Sequence, residues 1–218
     1  MERPTKGINY MELALLAFGG LGIEALYAFM LEPFIYGSDM NEWNTIQIII
    51  HWCITCITWI LVAGYIIKKS AQKYSFFVFD KTGKISKYQW MMTVICVVWV
   101  LLFNWHNWGG IKCILELKKL GILKFIFQYI YYMVETAMFT LIIIFGQKAC
   151  EVWFKNKNIP YGSIAVAFTW GIAHWFTKDS LYVGITTALC GACFGVVYLL
   201  MNRNIKWTYI ILCIMFCL

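Results

Sequence analysis

Two ionisable side chains, Glu135 and His174, lie inside apolar stretches of the chain, where such residues are unfavourable and tend to mark a site. Glu135 is 13 residues before Lys148, and His174 is 13 residues after Tyr161. Lys148 and Tyr161 flank consecutive apolar runs, so both side chains fall about 20 Å from the same membrane boundary at roughly 1.5 Å per residue. Helices joined by a short connection are usually neighbours. We therefore expect the pair to lie within direct or one-water hydrogen-bond reach.

A carboxylate paired with an imidazole has three uses in a membrane. It can activate a water as a general base, hold a divalent metal ion, or join two helices through a hydrogen bond. If a metal is bound, Glu135 and His174 are its predicted ligands, although the sequence requires no cofactor. Glu24 is a further intramembrane carboxylate and follows three glycines that permit close packing or a kink. It either joins the Glu135 site or bonds a neighbouring span, and His51 is expected to bond a neighbouring helix.

The composition predicts that membrane-spanning helices position these residues. Hydrophobic residues make up 61% of the 218-residue chain and charged residues 13%, with a mean hydropathy of +0.69. That is more apolar surface than a soluble core can bury. We predict an all-α fold over 1–218, a single integral membrane domain with about seven transmembrane helices. The apolar runs are 10–31, 45–67, 88–104, 122–147, 161–176, 181–200 and 205–218, and the last is short for a span.

The net charge of +7 fits a bilayer partner better than nucleic acid. The lysines lie in loops between apolar runs, where they set topology and meet anionic lipid, and no nucleic-acid-binding motif is present. Arginine occurs only at positions 3 and 203, a lysine bias typical of AT-rich bacterial genomes. The chain is therefore expected in a bacterial cytoplasmic membrane.

The basic residues also predict an orientation. With the N-terminus inside, 13 of the 18 fall on the inner side and 5 on the outer side, which favours this topology. The inner ones are Arg3, Lys6, Lys68, Lys69, Lys73, Lys81, Lys84, Lys87, Lys148, Lys155, Lys157, Arg203 and Lys206. The outer loop 105–121 is expected to contain a short interfacial helix.

Two further patterns concern packing. Nine cysteines, an odd number, lie mostly in apolar runs and are expected to act as small hydrophobes and not as a disulfide framework. Gly191 and Gly195 form a small-xxx-small face, which predicts a close approach of another helix.

The chain also resembles a known family at the two candidate residues. Residues 135–140 read ETAMFT, and residues 170–174 read WGIAH. They resemble the first two motifs, Glu-Glu-x-x-x-Arg and Phe-x-x-x-His, of the CPBP family of CAAX protease-like and bacteriocin-processing (Abi) membrane proteins. Glu135 and His174 are kept. Thr136 replaces the second Glu, Thr140 replaces the Arg, and Trp170 replaces the Phe.

The resemblance covers about 122–218 and implies an intramembrane endopeptidase fold. Glu135 would be the base for a water, His174 its partner or metal ligand, and Glu24 or Thr136 a support. The family's third motif, His-x-x-x-Asn, supplies the oxyanion donors, and here Cys213 and Cys217 stand in its place. Losing such a donor lowers the rate by about 10²–10³.

Three functions remain open from the sequence. The first is a divergent intramembrane endopeptidase acting on a membrane peptide or protein. The second is a non-catalytic relative that serves peptide immunity or holds a membrane partner. The third is a small-solute transporter with Glu135 as a proton-linked site.

Overall fold

A computed structural model describes residues 6–80 and 83–218, and all regular structure in these ranges is helical. The helices are α1 (Gly7–Tyr36), α2 (Thr45–Tyr74), α3 (Lys87–Trp108), α4 (Lys112–Phe154), α5 (161–178), α6 (Leu181–Leu200) and α7 (Ile205–Cys217). Five of them, α1 to α4 and α6, are long and apolar enough to cross a membrane. Helix α7 is a shorter apolar helix.

Polar residues at the helix ends explain where several helices begin and stop. The Asn44 side chain accepts hydrogen bonds from the first turn of α2, and Gln47 bonds back to the Asn44 backbone, a reciprocal cap that satisfies otherwise unpaired donors. Ser86 and Gln89 form the same cap at the start of α3. Gly109 ends α3 with a φ of 69°, a left-handed conformation that glycine adopts without a steric penalty.

Contacts between helix ends show that the helices alternate in direction. Lys69 near the end of α2 donates to Glu12 near the start of α1 at 2.6 Å. Gln89 at the start of α3 donates to Asn202 after α6, also at 2.6 Å. At the opposite end of the bundle, Tyr182 donates to Asn107 at 2.7 Å. Two of the basic residues used to predict the orientation, Arg3 and Lys81, lie outside the described residues.

Helix α4 runs through the centre of the bundle, and its half from Glu135 to Glu151 is almost entirely buried. The closest helix approach joins α5 and α6. A Cβ added at Gly195 would lie 2.2 Å from the Ser163 backbone nitrogen, whereas one at Gly191 would be 3.5 Å from Val166. Of the two glycines in the predicted small face, Gly195 therefore makes the tight contact.

Three local departures from regular α-helix shape the molecule. Helix α1 contains a π turn at Tyr27–Leu31, and α5 contains one at Ala167–Gly171. Gly121, with φ 73° and ψ 165°, divides α4 into a short segment, 112–120, and a long one, 122–154. The short segment is the helix expected between 105 and 121. Its Lys112 and Glu116 are 6% and 4% exposed, so they are buried against the bundle.

Candidate functional site

Glu135 is buried in the centre of the bundle and is bonded to a tryptophan. Its Oε1 accepts a hydrogen bond from the Trp170 indole nitrogen at 2.7 Å. Glu135 is 7% exposed and Trp170 is 4% exposed. The bond joins α4 to the π turn of α5, a backbone variant that is frequent at functional sites.

His174 is held by the same tryptophan. Its Nδ1 lies 2.8 Å from the Trp170 carbonyl oxygen, and a carbonyl only accepts, so Nδ1 carries the proton. In the neutral ring, Nε2 then keeps its lone pair for a proton or a metal ion. His174 is half-buried, and its ring packs edge-on against Trp170 at 4.7 Å between centroids.

The two predicted site residues are level with each other but do not touch. Pairs Gly146–Ala165 and Phe139–Trp170 are in contact, and the same antiparallel register sets Glu135 opposite His174. Among the described residues, however, neither a direct hydrogen bond nor an ion pair joins them. Of the direct or one-water contact expected from the sequence, the direct form is therefore not present, because the large indole of Trp170 occupies the carboxylate. A phenylalanine there could not donate this hydrogen bond.

The positions where the resemblance expects further catalytic residues gather around the same centre but carry other chemistry. The Thr136 and Thr140 hydroxyls donate to carbonyls of their own helix, at 2.8 Å to Tyr132 and 2.6 Å to Thr136. The Cys213 thiol faces the Thr136 side chain.

Cys217, the second position of the third motif, lies at the end of α7. It is buried, and its carbonyl accepts a hydrogen bond from Tyr129 at 3.0 Å. Neither Cys213 nor Cys217 supplies the imidazole or amide donor that the family uses.

Aromatic rings enclose the centre. Phe139, Phe194 and Phe216 pack around Trp170 with centroid separations of 4.7, 5.9 and 5.5 Å. A cavity of about 210 Å³ lies beside this cluster, and neither Glu135 nor His174 lines it. Its apolar walls come from α2, α4, α7 and the 78–79 segment. They are formed by Ala63, Ile67, Val78, Phe79, Ala137, Thr140, Leu141, Ile205 and Tyr209.

Glu24 belongs to a second polar cluster, which is built by α1, α2 and α4. Its Oε1 accepts a hydrogen bond from the Tyr131 hydroxyl at 2.7 Å and lies 3.5 Å from His51 Nε2. The other nitrogen of that ring, Nδ1, lies 2.5 Å from Glu32 Oε2. Glu24 therefore bonds neighbouring helices, and its partner Tyr131 lies one turn before Glu135 on α4. His51 makes the hydrogen bond to a neighbouring helix that the sequence suggested.

Glu32 lies just beyond the predicted apolar run 10–31, yet in the structure it belongs to α1 and is 3% exposed. The π turn at Tyr27–Leu31 explains its place. Residues eight apart in a regular α-helix point about 80° apart, whereas residues seven apart share a face. A π turn accommodates one extra residue, so Glu24 and Glu32 come to face His51 together. Only the acidic character of Glu32 could have suggested this role.

A third polar cluster, also missed in the sequence, closes one end of the bundle. The Lys112 ammonium donates to the Phe216 carbonyl at 2.8 Å and lies 4.4 Å from the centre of the Tyr132 ring. Glu116 accepts hydrogen bonds from Gln128, Tyr129 and Tyr132 at 3.0, 2.9 and 2.8 Å. Lys112 and Tyr129 satisfy carbonyls at the end of α7 that a helix terminus leaves unpaired.

The donor sets do not resemble a metal centre. Within residues 6–80 and 83–218, no three His, Cys, Asp or Glu side chains are grouped so that they could hold an ion. Glu135 and His174 would be two ligands at most. All nine cysteines are free thiols.

Comparisons with protein-family models, curated proteins and solved structures gave no significant match to this chain. The site is therefore interpreted from its own geometry and from the motif resemblance. What is established is a helical protein with five helices fit to cross a membrane and with a buried Glu135–Trp170–His174 centre.

Proposed function

We propose that this chain is a CPBP-like membrane protein of seven spans that binds a membrane peptide or partner protein and does not cleave it. The observation that carries the proposal is the 2.7 Å hydrogen bond from the Trp170 indole to Glu135. A general base needs its carboxylate within reach of a water. Here the carboxylate serves as the acceptor that holds α5 against α4.

The CPBP-like arrangement is supported by the way the motif positions converge. Glu135, Trp170 and His174 form one hydrogen-bonded chain, and Thr136 faces Cys213 across α4 and α7. These positions are far apart in the sequence and meet in one core, as a shared site requires.

The loss of catalytic groups also favours binding. An intramembrane peptidase must stabilise a developing oxyanion, and the two positions expected to do so are Cys213 and Cys217. Each missing donor lowers the rate by about 10²–10³. The buried hydroxyls of Thr136 and Thr140 are already bonded to their own helix, so neither replaces a donor.

The test compares purified wild-type protein with Glu135→Gln in a membrane-mimetic environment. Both are incubated with a library of membrane-spanning peptides, and the products are identified by mass spectrometry. We expect the two proteins to give identical product patterns. A binder does not cleave the peptides, so the Glu135→Gln substitution has no cleavage to abolish. The amide oxygen of the substituted side chain can still accept the indole hydrogen bond, so the two proteins should also unfold at similar temperatures.

An endopeptidase is the second candidate, and the geometry of His174 favours it. With Nδ1 bonded to a carbonyl, Nε2 is the free base of a half-buried ring that lies level with Glu135. Cleavage by the wild type that disappears in both Glu135→Gln and His174→Ala would establish the peptidase and exclude the binder.

A further inference from the structure

A buried histidine lies between two carboxylates in the cluster formed by Glu24, His51 and Glu32. His51 is 0% exposed, and the side chains of Glu32 and Glu24 are 4% and 29% exposed. Its Nδ1 is 2.5 Å from Glu32 Oε2, and its Nε2 is 3.5 Å from Glu24 Oε1. Both ring nitrogens therefore point toward carboxylate oxygens.

The hydrogen-bonding capacity of these groups fixes the proton count. An ionised carboxylate only accepts, whereas a neutral imidazole has one N–H and one lone pair. If Nδ1–H donates to Glu32, a neutral ring turns its Nε2 lone pair toward an oxygen of Glu24. The same oxygen already accepts from Tyr131, which marks it as an acceptor. A second proton on Nε2 removes the repulsion between the two lone pairs.

The charge balance leads to the same conclusion. Within the described part of the chain, His51 is the one ion-pair partner that Glu24 and Glu32 have. A buried carboxylate (Glu32) and a partly buried one (Glu24) that share no cation are unfavourable. Glu32 Oε1 and His51 Nε2 are, moreover, fully buried without a hydrogen-bond partner. A neutral His51 would leave both carboxylates uncompensated.

The other titratable groups around the cluster do not supply that cation. They are Tyr36 on α1, Cys56 on α2, Tyr131 and Glu135 on α4, and His174 on α5. Four of these are neutral or anionic. His174 is bonded to the Trp170 carbonyl, and among the described residues it forms no ion pair with Glu24 or Glu32.

We propose that Glu24, His51 and Glu32 form a proton-binding site inside the helix bundle, with the proton carried on His51 Nε2. The bound proton joins the last turn of α1, Glu32–Tyr36 beyond its π turn, to α2. The hydrogen bond from Tyr131 to Glu24 also joins the site to α4, one turn before Glu135. Release of the proton leaves the two carboxylates beside a neutral ring and weakens the attachment of this end of α1 to α2. The proposal does not depend on whether Glu135 is catalytic.

Nitrogen NMR of the protein labelled with ¹⁵N-histidine tests the site directly. The chain has three histidines, and His51→Gln identifies the His51 signals by their loss. In the wild type at neutral pH, both His51 ring nitrogens should carry a proton. The exposed His106 serves as an internal reference. A neutral His51 with one protonated nitrogen in the wild type would overturn the proposal without any variant having to fold.

Glu24→Gln is the matched variant. The amide that this substitution introduces can donate to His51 Nε2, so the contact is kept while the need for the second proton disappears. The His51 signals should then change to those of a neutral ring at the same pH. An imidazolium that persists in Glu24→Gln would show that Glu24 does not hold the proton.

The pH dependence of thermal unfolding is an independent readout. A proton bound more tightly in the folded state stabilises the protein at low pH, and this contribution is lost as the pH rises and the site releases it. Between about pH 6 and about pH 9, the wild-type unfolding temperature should fall more steeply than that of Glu24→Gln. Parallel curves would contradict the proposal.

Discussion

At the scale of single residues, Trp170 determines what Glu135 and His174 do. The indole donates to the carboxylate of one, and the carbonyl of the same residue accepts from the ring of the other. The sequence indicated Glu135 and His174 because ionisable residues are rare in apolar runs. It could not indicate that Trp170 reaches Glu135, because tryptophan is common in such runs and its indole reach depends on the helix register.

Arg203 forms an ion pair with Glu151 whose loss should be measurable. Its guanidinium donates to the buried Glu151 at 2.5 and 3.1 Å and to the Lys157 carbonyl at 2.7 Å. Arg203→Ala leaves that carboxylate without its cation, so we expect the protein to lose about 2–4 kcal/mol of unfolding free energy.

Chemical denaturation in detergent measures this loss. Lys206→Ala, which removes an exposed cation three residues away, is the control and should have little effect. Glu151→Gln combined with Arg203→Ala should recover part of the loss. Equal stability of Arg203→Ala and Lys206→Ala would show that the ion pair contributes nothing.

At the scale of helices, each of α1 to α7 corresponds to one of the predicted apolar runs, since long hydrophobic runs are a strong signal. The ends were less well predicted. Helix α4 extends to Phe154, beyond the run that ended at 147. The π turns in α1 and α5 leave no pattern in the sequence, and Glu32, which follows the first of them, lies outside the predicted run 10–31. Local backbone register, and not hydropathy, brings Glu24 and Glu32 together.

The contact between α5 and α6 gives a prediction at this scale. A Cβ at Gly195 would lie 2.2 Å from the Ser163 backbone nitrogen, so Gly195→Ala must push the helices apart. We expect a loss of about 1–3 kcal/mol of unfolding free energy.

Gly22→Ala is the matched control for this change. Gly22 lies within helix α1 with nothing within 4 Å of an added Cβ. Alanine there should leave the stability unchanged or raise it by up to about 1 kcal/mol through helix propensity. Thermal unfolding of both variants in detergent measures these changes. An unchanged unfolding temperature in Gly195→Ala would contradict the close approach of the two helices.

At the scale of the whole molecule, alternating helices put the connecting residues 75–80, 83–86 and 155–160 at the end of the bundle that holds the start of α1. The sequence predicted this grouping from the distribution of lysines. It could not predict the clusters at the opposite end. There, Lys112 donates to the Phe216 carbonyl of α7, 104 positions away in the sequence, and Glu116 is bonded to Gln128, Tyr129 and Tyr132 of α4.

The direction of the bundle across the membrane is the prediction at this scale. The excess of basic residues predicts that loops 68–87 and 148–160 lie on the cytoplasmic side. In a cysteine-free background, an exposed cysteine introduced by Ser75→Cys should resist a membrane-impermeant thiol reagent in intact cells. Asn41→Cys, exposed in the opposite loop, should react. Labelling of Ser75→Cys with protection of Asn41→Cys would reverse the orientation.

The bond between Glu135 and Trp170 is the central claim, and a double-mutant cycle measures it most directly. Glu135→Leu and Trp170→Phe each leave the other partner buried without its hydrogen bond, so each should lower the unfolding free energy by about 1–3 kcal/mol. The double variant removes both polar groups and should be no less stable than the worse single variant, which corresponds to a coupling of about 1–3 kcal/mol. Losses that simply add in the double variant would show that Trp170 does not hold Glu135, and the interpretation of this centre as a helix contact would then be wrong.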